Sequence, residues 1–196
     1  DATHAGGTVV FIDPDKGLVY SERLIAGAGI PTSGFSVTAI EFQGLSNVVF
    51  VALDFDPLTP GSPSRLAAIN LGSCAATVCA ATLIGTTGVG EIGGLAIDTG
   101  GTLYGVTAGT ISGGNLVTLS LTTGAATLVN PTGFTDVSGL EFAPDGQTLY
   151  GILGSAESVG GLGVPGDLVT IDPFTGQGRV VDATGMFANP AAPSGI

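Results

Sequence analysis

The chain is built from a repeated unit of roughly 50 residues. Residues 94–106 contain a Gly-Leu run, a Gly-rich turn and a Leu-Tyr-Gly run, and residues 139–152 repeat this order. A more diverged copy covers residues 39–52. Each run is short and rich in β-branched or aromatic residues, and turn-forming pairs such as Asp-Gly and Gly-Gly separate the runs. The pattern predicts short antiparallel strands joined by hairpin turns.

A second pattern alternates with the first. Residues 168–181 hold two strand-like runs around a Thr-Gly turn, and related segments lie at 116–129, 66–84 and 9–20. Each unit therefore holds four strands. One four-stranded sheet cannot bury both of its faces alone, so the units must stack on one another. We predict an all-β chain, and a ring of stacked units is a β-propeller.

These repeats resemble those of the broad superfamily of extracellular β-propellers, which carry sequences of the type GLAFDPDGTLYG and LYTIDPATGAATLVG. The resemblance covers nearly the whole chain. It implies blades of four antiparallel strands, with each Gly-Leu run as the innermost strand of its blade. It implies little about function, because propellers host many chemistries.

If each Gly-Leu run is the innermost strand of a blade, residues 1–196 form a single propeller domain of about four blade units. The expected units are half a blade at about 8–25, full blades at about 37–84, 92–130 and 137–182, and the start of another blade at 193–196. Two interpretations stay open. The chain is part of a larger ring of roughly six to eight blades, or four blades close by joining the two termini.

The charge balance restricts the partners. Four Lys and Arg stand against 16 Asp and Glu, for a formal net charge of -12. Such a chain repels phosphate, so we expect neither a nucleic acid nor an anionic lipid surface as partner. No apolar run approaches the ~20 residues that span a bilayer. We expect a protein partner or self-assembly.

Two cysteines indicate the redox compartment of the protein. Cys74 and Cys79 flank a turn between two strand-like runs, and two thiols so placed can close a small disulfide. Two free buried thiols are the alternative; a zinc site would need more ligands, and the only histidine is His4. A disulfide implies an oxidising compartment. The start at Asp1 without Met fits a processed terminus or an incomplete chain.

We therefore expect a secreted protein, extracellular, periplasmic or at the cell surface. Low Lys with high Ala, Gly and Thr is compatible with a bacterial exported protein.

Glu41 and Glu141 are the main candidates for chemistry. They occupy the same repeat position, which Ala96 fills in the middle blade. Because innermost strands border the central channel, the two carboxylates could hold a divalent cation such as calcium or act as acid and base. The alternative is that each one meets water or a backbone donor. Asp54 and Asp56, a spaced pair in a long loop, are a second candidate calcium site.

Other repeated polar and aromatic residues have structural explanations. Tyr104 and Tyr150 recur with the blade and are expected between blades. The aspartates at strand ends are expected to accept hydrogen bonds from their own turn amides: Asp13, Asp98, Asp145 and Asp172.

Three functions compete on this basis. The first is a secreted, non-catalytic binding or structural assembly module, with no catalytic residue and no cofactor beyond a possible calcium ion. The alternative is a hydrolase or lyase with a divalent cation in the central channel. A quinone or redox propeller is the third, and the absence of Trp disfavours it.

Overall fold

The computed structural model describes residues 8–13, 15–31, 33–44, 46–56, 58–59, 61–108, 114–154 and 165–181. These residues form fourteen strands and one short 3₁₀ turn, Leu71–Ser73. The predicted all-β class is confirmed. His4 and the blade start expected at 193–196 lie outside the described residues. The strands are β1 (Thr8–Ile12), β2 (Val19–Ala26), β3 (Ser36–Phe42), β4 (Val48–Asp54), β5 (Arg65–Asn70), β6 (Val78–Thr86), β7 (Ile92–Ile97), β8 (Leu103–Thr107), β9 (Asn115–Leu119), β10 (Ala126–Pro131), β11 (Val137–Phe142), β12 (Leu149–Leu153), β13 (Leu168–Ile171) and β14 (Gly178–Val180).

The strands form three sheets, which we number along the chain. Sheet 1 has the order β1-β2-β6-β5-β4-β3, sheet 2 the order β10-β9-β8-β7, and sheet 3 the order β11-β12-β13-β14. Within each sheet, four consecutive strands form an antiparallel meander that starts at β3, β7 or β11. Short hairpin turns between apolar strands produce this order. No helix in the described part of the chain has the length and apolar character to cross a membrane.

The first two strands form a hairpin that both packs on sheet 1 and pairs with it. The residues expected as half a blade, about 8–25, form the hairpin β1-β2, and β2 pairs in parallel with the first residues of β6. Leu24, Ile25 and Ala26 lie opposite Val78, Cys79 and Ala80. The exposed edge of β6 would otherwise leave backbone groups unpaired, and Ile25 becomes buried in the same contact. The hairpin therefore extends sheet 1.

Apolar side chains fill the space between consecutive sheets. We call the face that a sheet turns toward the next sheet its front face, and the opposite one its back face. Sheets 1 and 2 bury a cluster that includes Phe50, Leu66 and Leu103. Between sheets 2 and 3, Tyr104 contacts Phe142 edge to face, with ring centroids 5.4 Å apart, and Tyr104 is 9% exposed. Its predicted place between blades is confirmed.

A repeated Thr-Gly pair ties each sheet to the next. The Thr132 hydroxyl donates to the Gly114 carbonyl at 2.6 Å and accepts the Phe134 N–H at 3.2 Å. The Thr132 carbonyl in turn accepts the Gly178 N–H of β14 at 2.9 Å. Gly133 follows at φ 86°, a backbone conformation that favours glycine. The connection thus joins the outer strands of sheets 2 and 3.

The same arrangement joins sheets 1 and 2. The Thr87 hydroxyl donates to the Ser64 carbonyl at 2.8 Å, and the Thr87 carbonyl accepts the Ala126 N–H at 2.8 Å. Our sequence prediction missed this contact. The sequence did contain a sign of this contact, because a Thr-Gly pair stands at the same distance before β7 and before β11.

The turn aspartates and the disulfide are confirmed. The carboxylates accept backbone N–H groups of their own turns, and this hydrogen bonding lowers the pKa of Asp145 and Asp172. The pKa of Asp13 is lowered mainly by the hydrogen bond from the Lys16 side chain and further by the amides of its turn. The Asp98 carboxylate accepts the Thr102 N–H. The Cys74–Cys79 disulfide closes the turn before β6, with the two Cα atoms 4.1 Å apart.

Replacing the buried hydroxyl of Thr132 tests the connection. We expect Thr132→Val to lower the free energy of unfolding by about 1–3 kcal/mol, because the Phe134 N–H loses its acceptor. Urea denaturation measures the change. Thr127→Val, at an exposed position of β10, is the matched control and should change the stability by less than about 0.5 kcal/mol. Equal effects of the two variants would contradict this role.

Candidate functional site

The innermost strands of the three sheets end at a common cavity. The carboxyl ends of β3, β7 and β11, with the turns that follow them, line a cavity of about 450 Å³. Its lining includes residues of these turns, the aromatic residues Phe42 and Phe142, and the acidic residues Glu41, Asp98 and Glu141. We call this cavity the channel mouth. All of its ionisable side chains among the described residues are acidic.

Glu41 and Glu141 meet at the channel mouth as the repeat predicted, but their environments differ. Glu41 lies on the front face of β3, is 7% exposed, and accepts the backbone N–H of Ile97 from sheet 2. Glu141 occupies the same position on β11 and is exposed. The middle position, Ala96, is fully buried. Glu41 thus meets a backbone donor, which is the structural alternative considered above.

Burial changes the acid–base chemistry of Glu41. Removal from water, and then the nearby charge of Glu141, raise the pKa of Glu41 from 4.5 to about 7. The hydrogen bonds from the Ile97 and Phe42 N–H groups partly oppose this rise. Glu41 therefore exchanges its proton near neutral pH, while Glu141 stands at the solvent side of the same cavity.

Asp54 and Asp56 lie at the other end of the inner strands. Asp54 pairs with Ser36, the first residue of β3, whereas Glu41 is near the last. The Asp54 carboxylate accepts the Asp56 N–H and the Ser62 hydroxyl, both at 2.9 Å. These bonds order the loop after β4. Within the described part of the chain, no three His, Cys, Asp or Glu side chains are grouped so that they could hold a metal ion.

The sequence prediction missed two acidic residues beside Asp54. Glu91 and Asp136 directly precede β7 and β11. Burial, and then the charges of Asp54 and Asp136, raise the pKa of Glu91. The signal was present, because Glu91 and Asp136 stand at the same position before each Gly-Leu run. Both ends of the inner strands are therefore acidic.

Comparisons with known proteins identify the fold. No protein-family model and no curated protein sequence matches the chain. A structure described as the nidogen/laminin complex is similar at 11% identity and a TM-score of 0.62, covering 91% of this chain and 59% of that chain. TolB from Acinetobacter baumannii is similar at 13% identity and a TM-score of 0.58, covering 94% of this chain and 40% of that chain.

A third similar structure is hydrazine synthase from Kuenenia stuttgartiensis, at 17% identity and a TM-score of 0.51, covering 89% of this chain and 43% of that chain. The chain spans less than two thirds of the length of each of these proteins. With the stacked antiparallel sheets, these similarities confirm a β-propeller fold. At such low identity they show the fold alone.

The raised pKa of Glu41 predicts a pH-dependent stability. The folded state holds the Glu41 proton more tightly than the unfolded state, so this contribution is complete below about pH 4.5 and is lost as the pH rises through about 7. We expect Glu41→Gln, which keeps a hydrogen-bond acceptor for Ile97, to gain about 2 kcal/mol relative to wild type between pH 5 and pH 8. Urea denaturation across this pH range measures the difference.

Glu141→Gln is the matched control for this experiment. It removes the exposed carboxylate and leaves Glu41 buried, so we expect a smaller gain over the same pH range. A stability difference between Glu41→Gln and wild type that does not change with pH would contradict the assigned environment.

Proposed function

We propose that this protein is a secreted, non-catalytic binding module whose channel mouth accepts a basic segment of a partner protein. The observation that carries the proposal is the convergence of Glu41, Asp98 and Glu141 on one open cavity. Three sheets supply one carboxylate each, so the acidic lining is held by the strand ends.

The charge of the whole chain favours the same kind of partner. With a formal net charge of -12, the protein attracts cationic groups over several ångströms and speeds their approach. The exposed Glu141 carboxylate is open to a Lys or Arg side chain. The partly exposed ring of Phe42, which also lines the cavity, offers apolar surface to the aliphatic part of such a side chain.

The similar structures support a binding role at the level of the scaffold. One of them is described as a complex of nidogen with laminin, and that description concerns nidogen. Hydrazine synthase is an enzyme by name, so the scaffold itself does not decide between binding and catalysis. The disulfide supports an oxidising, extracellular or periplasmic location.

The alternative, a hydrolase or lyase with a divalent cation, rests on the same two glutamates. It uses the proximity of Glu141 to Glu41, which has a pKa of about 7. A calcium ion would need further oxygen ligands at the mouth, since calcium takes roughly six to eight. The Asp98 carboxylate is already engaged by the Thr102 N–H at 2.8 Å. Binding of a basic segment needs no such additional ligands.

Binding of a lysine-rich peptide tests the proposal. We expect a fluorescently labelled peptide of alternating Lys and Gly to bind at low salt, with the affinity falling as salt is added. Glu141→Gln should weaken binding roughly two- to fivefold, because one exposed carboxylate at the mouth is lost. Fluorescence anisotropy titrations measure the dissociation constants.

Glu22→Gln is the control, because it removes one exposed charge from β2, away from the channel mouth. We expect it to leave the affinity nearly unchanged. If both variants weaken binding equally, the peptide responds only to net charge and the mouth is not its site. If calcium binds to wild type and displaces the peptide, the result supports the alternative of an enzyme with a divalent cation.

A further inference from the structure

Sheets 2 and 3 have the same backbone turn between their last two strands. The turn covers residues 120–125 in sheet 2 and residues 172–177 in sheet 3. In sheet 3 the Asp172 N–H donates to the Gln177 carbonyl at 3.0 Å, and the first and last residues of the sheet 2 turn make the same bond at the same length. A glycine with a φ of 77° or 74° stands at the same point of each turn. The two turns can therefore be compared residue by residue.

The side chains on these matching turns differ. Three positions carry a larger side chain in sheet 3, where Phe174, Gln177 and Arg179 stand in place of Thr122, Ala125 and Thr127. The turn after β11 differs as well, since it covers residues 143–148, one more than residues 98–102 after β7, and it carries Gln147. The turn itself does not require the larger side chains, because small ones form it in sheet 2.

The three larger side chains line one open cavity of about 390 Å³. Gln147, Thr148 and Thr170 contribute further polar side chains to its lining. Arg179 pairs with Thr170 across β13 and β14, so both side chains lie on one face of sheet 3. Phe174 is 86% exposed, and most of its ring is therefore available for contact with a ligand.

A following sheet leaves this end of a sheet accessible. In sheet 2, Thr122, Ala125 and Thr127 are exposed although sheet 3 packs against sheet 2. A further sheet packed on sheet 3 in the same way would therefore leave the matching side chains of the cavity exposed.

The chemistry of the lining suits an uncharged ligand with many hydroxyl groups. The carboxamides and hydroxyls of the cavity donate and accept hydrogen bonds without charge. Asp172 and Arg179 add one negative and one positive group, whereas the ionisable lining of the channel mouth is entirely acidic. The Asp172 carboxylate is engaged by its own turn, where it accepts the Phe174 N–H at 2.8 Å. An exposed aromatic ring beside neutral hydrogen-bonding groups matches a sugar ring, which has an apolar C–H face and a rim of hydroxyls.

We propose that this cavity is a saccharide-binding site, in which Phe174 stacks on a sugar ring while Gln177 and Arg179 donate hydrogen bonds to its hydroxyl groups. The site shares no lining residue with the channel mouth. Its test therefore does not depend on the peptide experiment.

Titration with neutral oligosaccharides tests the proposal. We expect at least one of cellohexaose, maltohexaose and chitohexaose to bind with a dissociation constant of about 0.1–1 mM, as fits an open site. Two-dimensional NMR should show signal shifts at Gln147, Thr170 and Gln177, which line the cavity. Because these ligands carry no charge, the affinity should be the same at low and high salt, unlike that of the lysine-rich peptide.

Variants that restore the sheet 2 residues separate the two turns. Phe174→Thr should weaken binding roughly tenfold, because the stacking ring is lost, and Phe174→Tyr should keep the affinity. Gln177→Ala should also weaken binding. Both restored side chains already occur on this backbone turn in sheet 2, so the variants should fold. Thr122→Ala, on the turn of sheet 2, is the matched control and should bind like wild type.

Four results would overturn the saccharide site. They are no binding of any of the three oligosaccharides up to about 10 mM, signal shifts confined to residues outside the cavity, equal affinities of Phe174→Thr and wild type, or an equal loss of affinity in Thr122→Ala. If the lysine-rich peptide shifts the signals of the cavity and no oligosaccharide does, the cavity binds protein and the saccharide assignment is wrong.

Discussion

The structure depends on the burial of one sheet face against the next. A four-stranded sheet made of these short strands cannot bury its own apolar side chains, so each sheet needs a neighbour. Leu66, Leu103 and Leu116 reach full burial only through such contacts. The Thr-Gly connections support this packing, because their hydrogen bonds join the outer strands of consecutive sheets. Packing between sheets thus provides the burial that a single sheet cannot achieve.

The same packing creates the acidic channel mouth. Sheets that stack with one register bring the ends of their inner strands together, and each repeat adds one acidic or apolar side chain at that point. Glu41 and Glu141 show how strongly position in the stack matters. Sheet 2 covers Glu41 and supplies the Ile97 N–H. The loss of water, and then the charge of Glu141, raise the pKa of Glu41 to about 7. Glu141 has no following sheet among the described residues and stays exposed.

Much of the fold could be predicted because its signals are local. Hairpin turns, strand length and turn aspartates such as Asp145 follow from neighbouring residues and repeat with the unit. The attachment of the β1-β2 hairpin could not be read in this way, because the edge of β6 becomes available only in three dimensions. The site shows the same division. The shared position of Glu41 and Glu141 was visible in the repeat, whereas the burial of only one of them was not.

The ends of the stack are where repeat and environment disagree. The repeat places apolar residues at matching positions of every sheet, and the ends of the stack bury only some of them. On sheet 1 the β1-β2 hairpin covers Val49, Val51 and Ile69. Ile40 on the first sheet and Ile152 on the last keep the side chains of a covered position while they face solvent. Position in the stack, and not residue type, therefore decides whether a repeated apolar side chain is buried.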